Sequence, residues 1–257
     1  MGSAMGVLLD IAGVLYEGDR PIPGAVDAVR RLRGSGLAVR YLTNSTRRPK
    51  RRIVERLRSL GFPVDPAEIL TPAEAACDWL RREGYAPHLL IHPDLEEDFM
   101  DLPKSDRIAV VVGDAGPCFS YERMNAAFRE LERGAPFLAL AINRVFKDRD
   151  GKLSLDAGAF VKALEYSSGT PALLLGKPSR DFFVAGARSM GCALGDVTMI
   201  GDDAESDVSG AIAAGVRAAI HVQTGKYRAG DETQHDHRPS ALARDIAAAV
   251  DLLVETD

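Results

Sequence analysis

The chain has little of several things that would mark a specialised class. Only three of its 257 residues are cysteine, Cys77, Cys118 and Cys192. They are widely separated, odd in number and outside any CxxC pair, so neither a disulfide framework nor a structural zinc site is suggested and a reducing compartment fits best. No run approaches the roughly 20 apolar residues needed to cross a bilayer, and no charged and then apolar leader precedes the first strand-like run. The reading is a cytoplasmic protein with no membrane partner. Residues 1–5, MGSAM, have the look of a cloning remnant and stay outside the fold argument. An excess of positive charge is also missing: 32 Lys and Arg against 37 Asp and Glu leave a formal net charge of -5. That gives no electrostatic reason for a nucleic acid as main ligand, while a local basic cluster can still hold a phosphate. There is no GxGxxG fingerprint, and GKPS lacks the first glycine of a P-loop, so dinucleotide and nucleoside-triphosphatase readings lose their support.

What is present is an alternation of short apolar runs with helical patterns. GVLLD is followed by PGAVDAVRRLRGSG, with Pro23 and Gly24 at a helix start and Gly34 and Gly36 at its end, and then by LAVRYLT. Further helices are read in RRIVERLRSLGF and PAEAACDWLRREG. The later part repeats the arrangement with ALLLGK, a helix from about Arg180 to Met190, VTMIGDD, a helix ending near Gly215, and RAAIHV. Continuous apolar runs of this kind are parallel strands buried on both faces, so the fold class is α/β with a doubly wound, Rossmann-like parallel sheet. Between Gly84 and Thr170 lie further strands, HLLIH, RIAVVVG and FLALAI, with their own helices. This segment is a separate α/β module inserted into the first, with a core at 1–82 and 172–257 and an insert at 83–171.

Ligands of open α/β sheets sit outside the carboxyl ends of the strands, which directs attention to the polar residues that follow the apolar runs. These are Asp10, then Thr43 and Asn44, then Lys177, then Asp202, Asp203 and Asp207. Two carboxylates converging from different strands repel unless a cation lies between them, and an all-oxygen site with several waters suits Mg2+. Magnesium would hold a phosphate, and Thr43, Asn44 and Lys177 would bind its remaining oxygens. Asp10 would attack phosphorus, giving an aspartyl-phosphate that water hydrolyses.

The order and spacing of DIAGVL, LTN, GKPS and GDDAESD resemble the haloacid dehalogenase-like phosphatase superfamily over nearly the whole chain. The insertion between the second and third motifs resembles the class IIA cap arrangement. The resemblance implies that Asp10 is the nucleophile, that the backbone carbonyl of Ala12 and Asp202 join it as metal ligands, and that Thr43, Asn44 and Lys177 hold the phosphate. It places Asp207 behind them, orienting metal-bound water or Lys177, and leaves Asp203 between a supporting role and that of a solvated loop acid. It also leaves room for a homodimer through the cap, which no residue pattern here shows.

The chain departs from the pattern at Ala12, where most superfamily phosphatases carry an aspartate that protonates the leaving group. Its loss costs about 10²- to 10⁴-fold in rate, and less when the leaving group needs little protonation. A phosphatase of small phosphorylated compounds with good leaving groups is the first reading, with pyrophosphate, phosphoramidates or aryl phosphates as substrates. A phospho-ligand binding protein without turnover and an inactivated variant of a general phosphomonoesterase stand beside it.

In the insert, Asn143, Arg144 and Lys147 follow a strand and are read as substrate contacts. The basic run Arg47 to Arg52 is read as the solvated start of a helix, His235 and His237 as a surface loop, and Phe160 and Tyr166 as a buried helical stripe.

Overall fold

The structure, a computed structural model, describes residues 6–147 and 152–254; the MGSAM segment lies outside them. The chain folds as two compact units. The first comprises residues 1–43, 51–70 and 177–257 and the second residues 44–50 and 71–176.

The first unit is built on a six-stranded sheet in the order Ala241–Ala243, Ala218–Val222, Val197–Gly201, Gly6–Asp10, Ala38–Leu42, Ile69–Leu70. All its pairings are parallel. Strand alternation sends Val7 and Leu9 to one face, where they pack with Val29 and Leu32 of helix Ala25–Gly34, Val54 and Leu57 of helix Lys50–Ser59, and Ile246 and Val250 of helix Ile246–Asp251. Leu8 points the other way, against Gly186 of helix Arg180–Ser189, where an added Cβ would lie 2.9 Å from its Cδ2. With helices on both faces, the strands are enclosed and read as unbroken apolar runs, as the parallel doubly wound class requires.

The second unit has its own parallel sheet, in the order Leu173–Leu174, Phe137–Ala139, Ile108–Val112, Ala86–Leu90. Ala109 and Val111 face one apolar cluster and Val110 and Val112 another. Helices Tyr121–Glu132 and Ala157–Ser168 supply the second cluster with Ala127, Leu131, Val161 and Leu164. A two-stranded antiparallel ribbon pairs Val145–Lys147 with Leu153–Leu155.

Three expectations change. Helix Pro72–Glu83, started by Thr71 capping the Glu74 N–H at 3.1 Å and stopped at left-handed Gly84, belongs to the second unit. Its Ala73, Ala76, Cys77 and Leu80 fill the cluster shared with Val111 and Leu138, so the insert takes in residues that the sequence reading gave to the core. ALLLGK yields only the strand Leu173–Leu174, which pairs with Phe137–Ala139 of the second unit and not with the six-stranded sheet. Finally, Tyr166 is 92% exposed. It lies six residues beyond Phe160, 600° around the helix, so the two cannot share a face; Val161 and Leu164 form the buried stripe and Phe160 stacks on Phe119 at 3.6 Å.

Candidate active site

Asp10 ends its strand, and Asp202 immediately follows the neighbouring strand Val197–Gly201, so the parallel register brings both carboxylates to the same edge of the sheet. Lys177, three residues before helix Arg180–Ser189, has a side chain only 2% exposed. Its Nζ donates to Oδ1 of Asp10 and lies 2.7 Å from Oδ1 of Asp207. The wound segment Ala204–Ser209 returns Asp207 to the strand end, where its Oδ2 accepts the Asp203 N–H at 3.2 Å. A Cβ on Gly201 would stand 2.2 Å from that of Asp207, so the approach requires glycine. One oxygen each from Asp10, Asp202 and Asp207 lies within 4.8 Å of the others.

Three buried carboxylates thus share one buried ammonium. Burial, aided by Asp207 and opposed by Lys177, raises Asp10 to about 6. Burial, with Asp10 and Asp207 adding to it, raises Asp202 to about 8. Burial works against the charge of Lys177, but Asp10 and Asp207 outweigh it and hold the amine protonated. The surplus of negative charge and the all-oxygen donor set fit a hard divalent cation. Among the described residues, no other group of three His, Cys, Asp or Glu side chains has this proximity, and His235 and His237 belong to none.

This imbalance has a thermodynamic consequence. Between its unfolded value of 3.8 and its folded value of about 8, Asp202 binds more protons in the folded chain, so without a divalent cation stability falls as pH rises across that window; Asp10 adds to the fall up to about 6. A cation compensates the exposed repulsion where the carboxylates are ionised. A divalent cation such as magnesium, at 100 times its Kd, would contribute about 2.7 kcal/mol, or roughly 5–10 °C in Tm for a chain of this size. Thermal melts with and without magnesium are expected to show a larger increment at pH 8 than at pH 5; an equal or reversed increment would contradict the cluster's electrostatics.

Asp203 is neither a solvated acid nor a member of the cluster. Its Oδ1 caps the N–H groups of Glu205 and Ser206 at 3.1 and 2.9 Å, and its Oδ2 is 2.8 Å from Nζ of Lys226. Burial would raise its carboxyl, but Lys226 and the backbone donors outweigh that and hold it near 2. Lys226 was not anticipated, although the rule of polar residues after apolar runs points to it, two residues beyond Thr224 after AAIHV.

Thr43 is buried one residue past Leu42, the register partner of Asp10, and its N–H reaches the Leu70 carbonyl at 3.3 Å. Ala12 is exposed on the loop after Asp10 and presents a methyl group. Asn44, Asn143, Arg144 and Lys147 fall in the second unit, as does the start of the basic run. There Asn143 and Arg144 use their carbonyls to accept the N–H groups of Gly158 and Asp156, which anchors the base of the ribbon. The Lys147 side chain lies outside the described structure. The basic run is largely neutralised: Arg47 makes a two-pronged pair with buried Asp114 under the Phe146 ring, Lys50 bonds Glu74 at 2.9 Å, and Arg51 bonds Glu55 at 2.6 Å.

Family models described as haloacid dehalogenase-like hydrolase and HAD-hydrolase-like match residues 7–111 and 174–249. Phospholysine phosphohistidine inorganic pyrophosphate phosphatase of Rattus norvegicus is 42% identical across 99% of this chain and 96% of its own. Haloacid dehalogenase-like hydrolase domain-containing protein 2 of Homo sapiens is 41% identical across 97% of this chain and 95% of its own. Among solved structures, a p-nitrophenyl phosphatase from Archaeoglobus fulgidus superposes with a TM-score of 0.86 at 27% identity, covering 98% of this chain and 100% of the other.

Proposed function

Because this chain belongs to the haloacid dehalogenase-like hydrolases and is a phosphatase, we propose that it is magnesium-dependent, works through an aspartyl-phosphate on Asp10, and acts on small phosphorylated compounds with good leaving groups. The carrying observation is the cluster in which one lysine bridges Asp10 and Asp207 beside Asp202.

Asp10 and Asp202, with the Ala12 carbonyl, would hold the cation, which supplies positive charge to a bound phosphoryl group. Lys177 donates to Oδ1 of Asp10, so one carboxylate oxygen would face both the ammonium and the cation while the other attacks phosphorus. The new bond joins that oxygen to phosphorus while the bond to the leaving group breaks and its electron pair departs with the leaving group. Water then attacks phosphorus, restoring the Asp10 carboxylate and releasing inorganic phosphate. Lys177, kept protonated by Asp207 and fixed by burial, offsets the charge on the phosphoryl oxygens without reorganising. Thr43 would complete the phosphate contacts.

The methyl side chain at Ala12 cannot donate a proton to a departing oxygen. Phosphate leaving from pyrophosphate, an aryl oxide, or a phosphoramidate nitrogen already protonated needs no such donor. Relatives named for phospholysine, phosphohistidine, inorganic pyrophosphate and p-nitrophenyl phosphate support this substrate class. The second unit would act as the cap, and the exposed Val145, Leu153 and Leu155 of its ribbon support a homodimer through it. The free cysteines Cys77, Cys118 and Cys192 support a cytoplasmic setting.

Phosphate release from pyrophosphate, p-nitrophenyl phosphate, a phosphoramidate and an alkyl phosphate, with magnesium and with a chelator, tests the reading. Turnover of the first three, slow turnover of the last and silence in the chelator are expected. Magnesium and phosphate binding without turnover of any of the four would favour a phospho-ligand binding protein instead.

A further inference from the structure

The turn after strand Ala218–Val222, Gln223 to Lys226, takes no part in the chemistry above, yet it encloses one oxygen of Asp202. We propose that this turn is a positioning device: it ties up Oδ2 of Asp202, leaves Oδ1 as the one oxygen that residue offers a cation, and so favours magnesium over calcium. The inference rests on the proposed divalent-cation site.

Oδ2 accepts the backbone N–H of Lys226 at 2.7 Å. An added Cβ on Gly13 or on Gly225 would lie 2.0 Å from the same oxygen, so two glycines at φ +85° and +65° form its walls. No other residue type fits either place, because the space is taken and the backbone is left-handed. The main chain of Asp202 is held as well: its carbonyl lies 3.0 Å from Nε2 of buried His221. A carbonyl can only accept, so Nε2 carries the proton.

The turn is fastened to the segment that follows the nucleophile. Thr224 Oγ1 donates to the Gly13 carbonyl at 2.6 Å, and the Gly225 N–H donates to Oε1 of Glu17 at 2.5 Å. Glu17 sits on a small antiparallel ribbon, opposite Arg20. The loops after Asp10 and after His221 are thereby locked together around Asp202.

A carboxylate restricted to one oxygen suits an octahedral magnesium ion, which takes carboxylates one oxygen at a time and keeps several waters. Calcium takes six to eight oxygens and exploits bidentate carboxylates, so the restriction removes a ligand that calcium would otherwise use. Partners behind a metal ligand are worth about 10- to 100-fold in metal affinity.

The test is calorimetric titration of the full chain with magnesium and, separately, calcium, for wild type, Glu17→Ala, Glu17→Gln and Thr224→Val. Glu17 is exposed, so its replacement leaves the core intact. The ratio of magnesium to calcium affinity is expected to fall about tenfold in Glu17→Ala and in Thr224→Val. Glu17→Gln keeps an acceptor oxygen for the Gly225 N–H and is expected to restore most of the ratio, which a simple charge effect would not do. An unchanged ratio in both Glu17→Ala and Thr224→Val overturns the positioning role while leaving the metal site standing. A wild-type chain that binds neither ion overturns the divalent-cation reading itself, and this inference with it.

Discussion

Asp10→Asn is expected to abolish phosphate release, by a factor on the order of 10⁴ to 10⁶, and to leave the chain folded. The amide has nearly the shape of the carboxylate, and its oxygen can still accept from Lys177, so the bridge to Asp207 survives in outline. What would disappear is the anionic oxygen proposed to attack phosphorus, and no neighbour replaces it. Asp202 is held by the Lys226 N–H, and Asp207 is engaged by Lys177 and the Asp203 N–H. The same substitution removes one of three mutually repelling buried charges, so without magnesium the variant is expected to melt higher than wild type at pH 8. The paired outcome, raised Tm with lost turnover, separates loss of a nucleophile from loss of structure. Residual turnover within about tenfold of wild type would remove Asp10 from its role.

Ala12→Asp is the second large effect and runs in the opposite direction. It is expected to raise the rate on an alkyl phosphate by about 10²- to 10⁴-fold, the usual contribution of a positioned general acid. The rates on pyrophosphate and aryl phosphate, whose leaving groups already carry negative charge well, are expected to change far less. Position 12 is exposed, so a longer side chain meets no packing barrier. The introduced carboxyl would also stand two residues from Asp10, near carboxylates already short of positive charge, and their repulsion favours its protonated, proton-donating form. Steady-state rates on the four substrates decide the point. A uniform gain on all of them would indicate an inactivated general phosphomonoesterase, and no gain on the alkyl phosphate would separate leaving-group preference from residue 12.

Part of this site is legible in the sequence because its information is local. An apolar run ending in Asp10, and another ending in Gly201 and Asp202, state by themselves that carboxylates sit at the carboxyl ends of buried parallel strands. Helix boundaries are equally local: Thr71 and Gly84 bound Pro72–Glu83, and Gly169 ends Ala157–Ser168. Lys177 is legible as a residue but not as a position. The run before it is as apolar as a core strand, yet it makes two residues of sheet in the other unit, and the amine reaches Asp10 and Asp207 by another path.

The chain's own letters therefore determined the α/β class, the strand ends that carry the acids, and the methyl side chain at Ala12. Each depends on residues close together in sequence, through strand alternation, caps and the identity of one side chain. Tertiary structure alone decided that helix Pro72–Glu83 packs with the inserted unit, that Asp203 serves Lys226 and two backbone amides, and that Gly13 and Gly225 wall in one oxygen of Asp202. Those outcomes turn on which surfaces meet across long stretches of chain, Gly13 and Gly225 among them, and neither periodicity nor propensity records that choice.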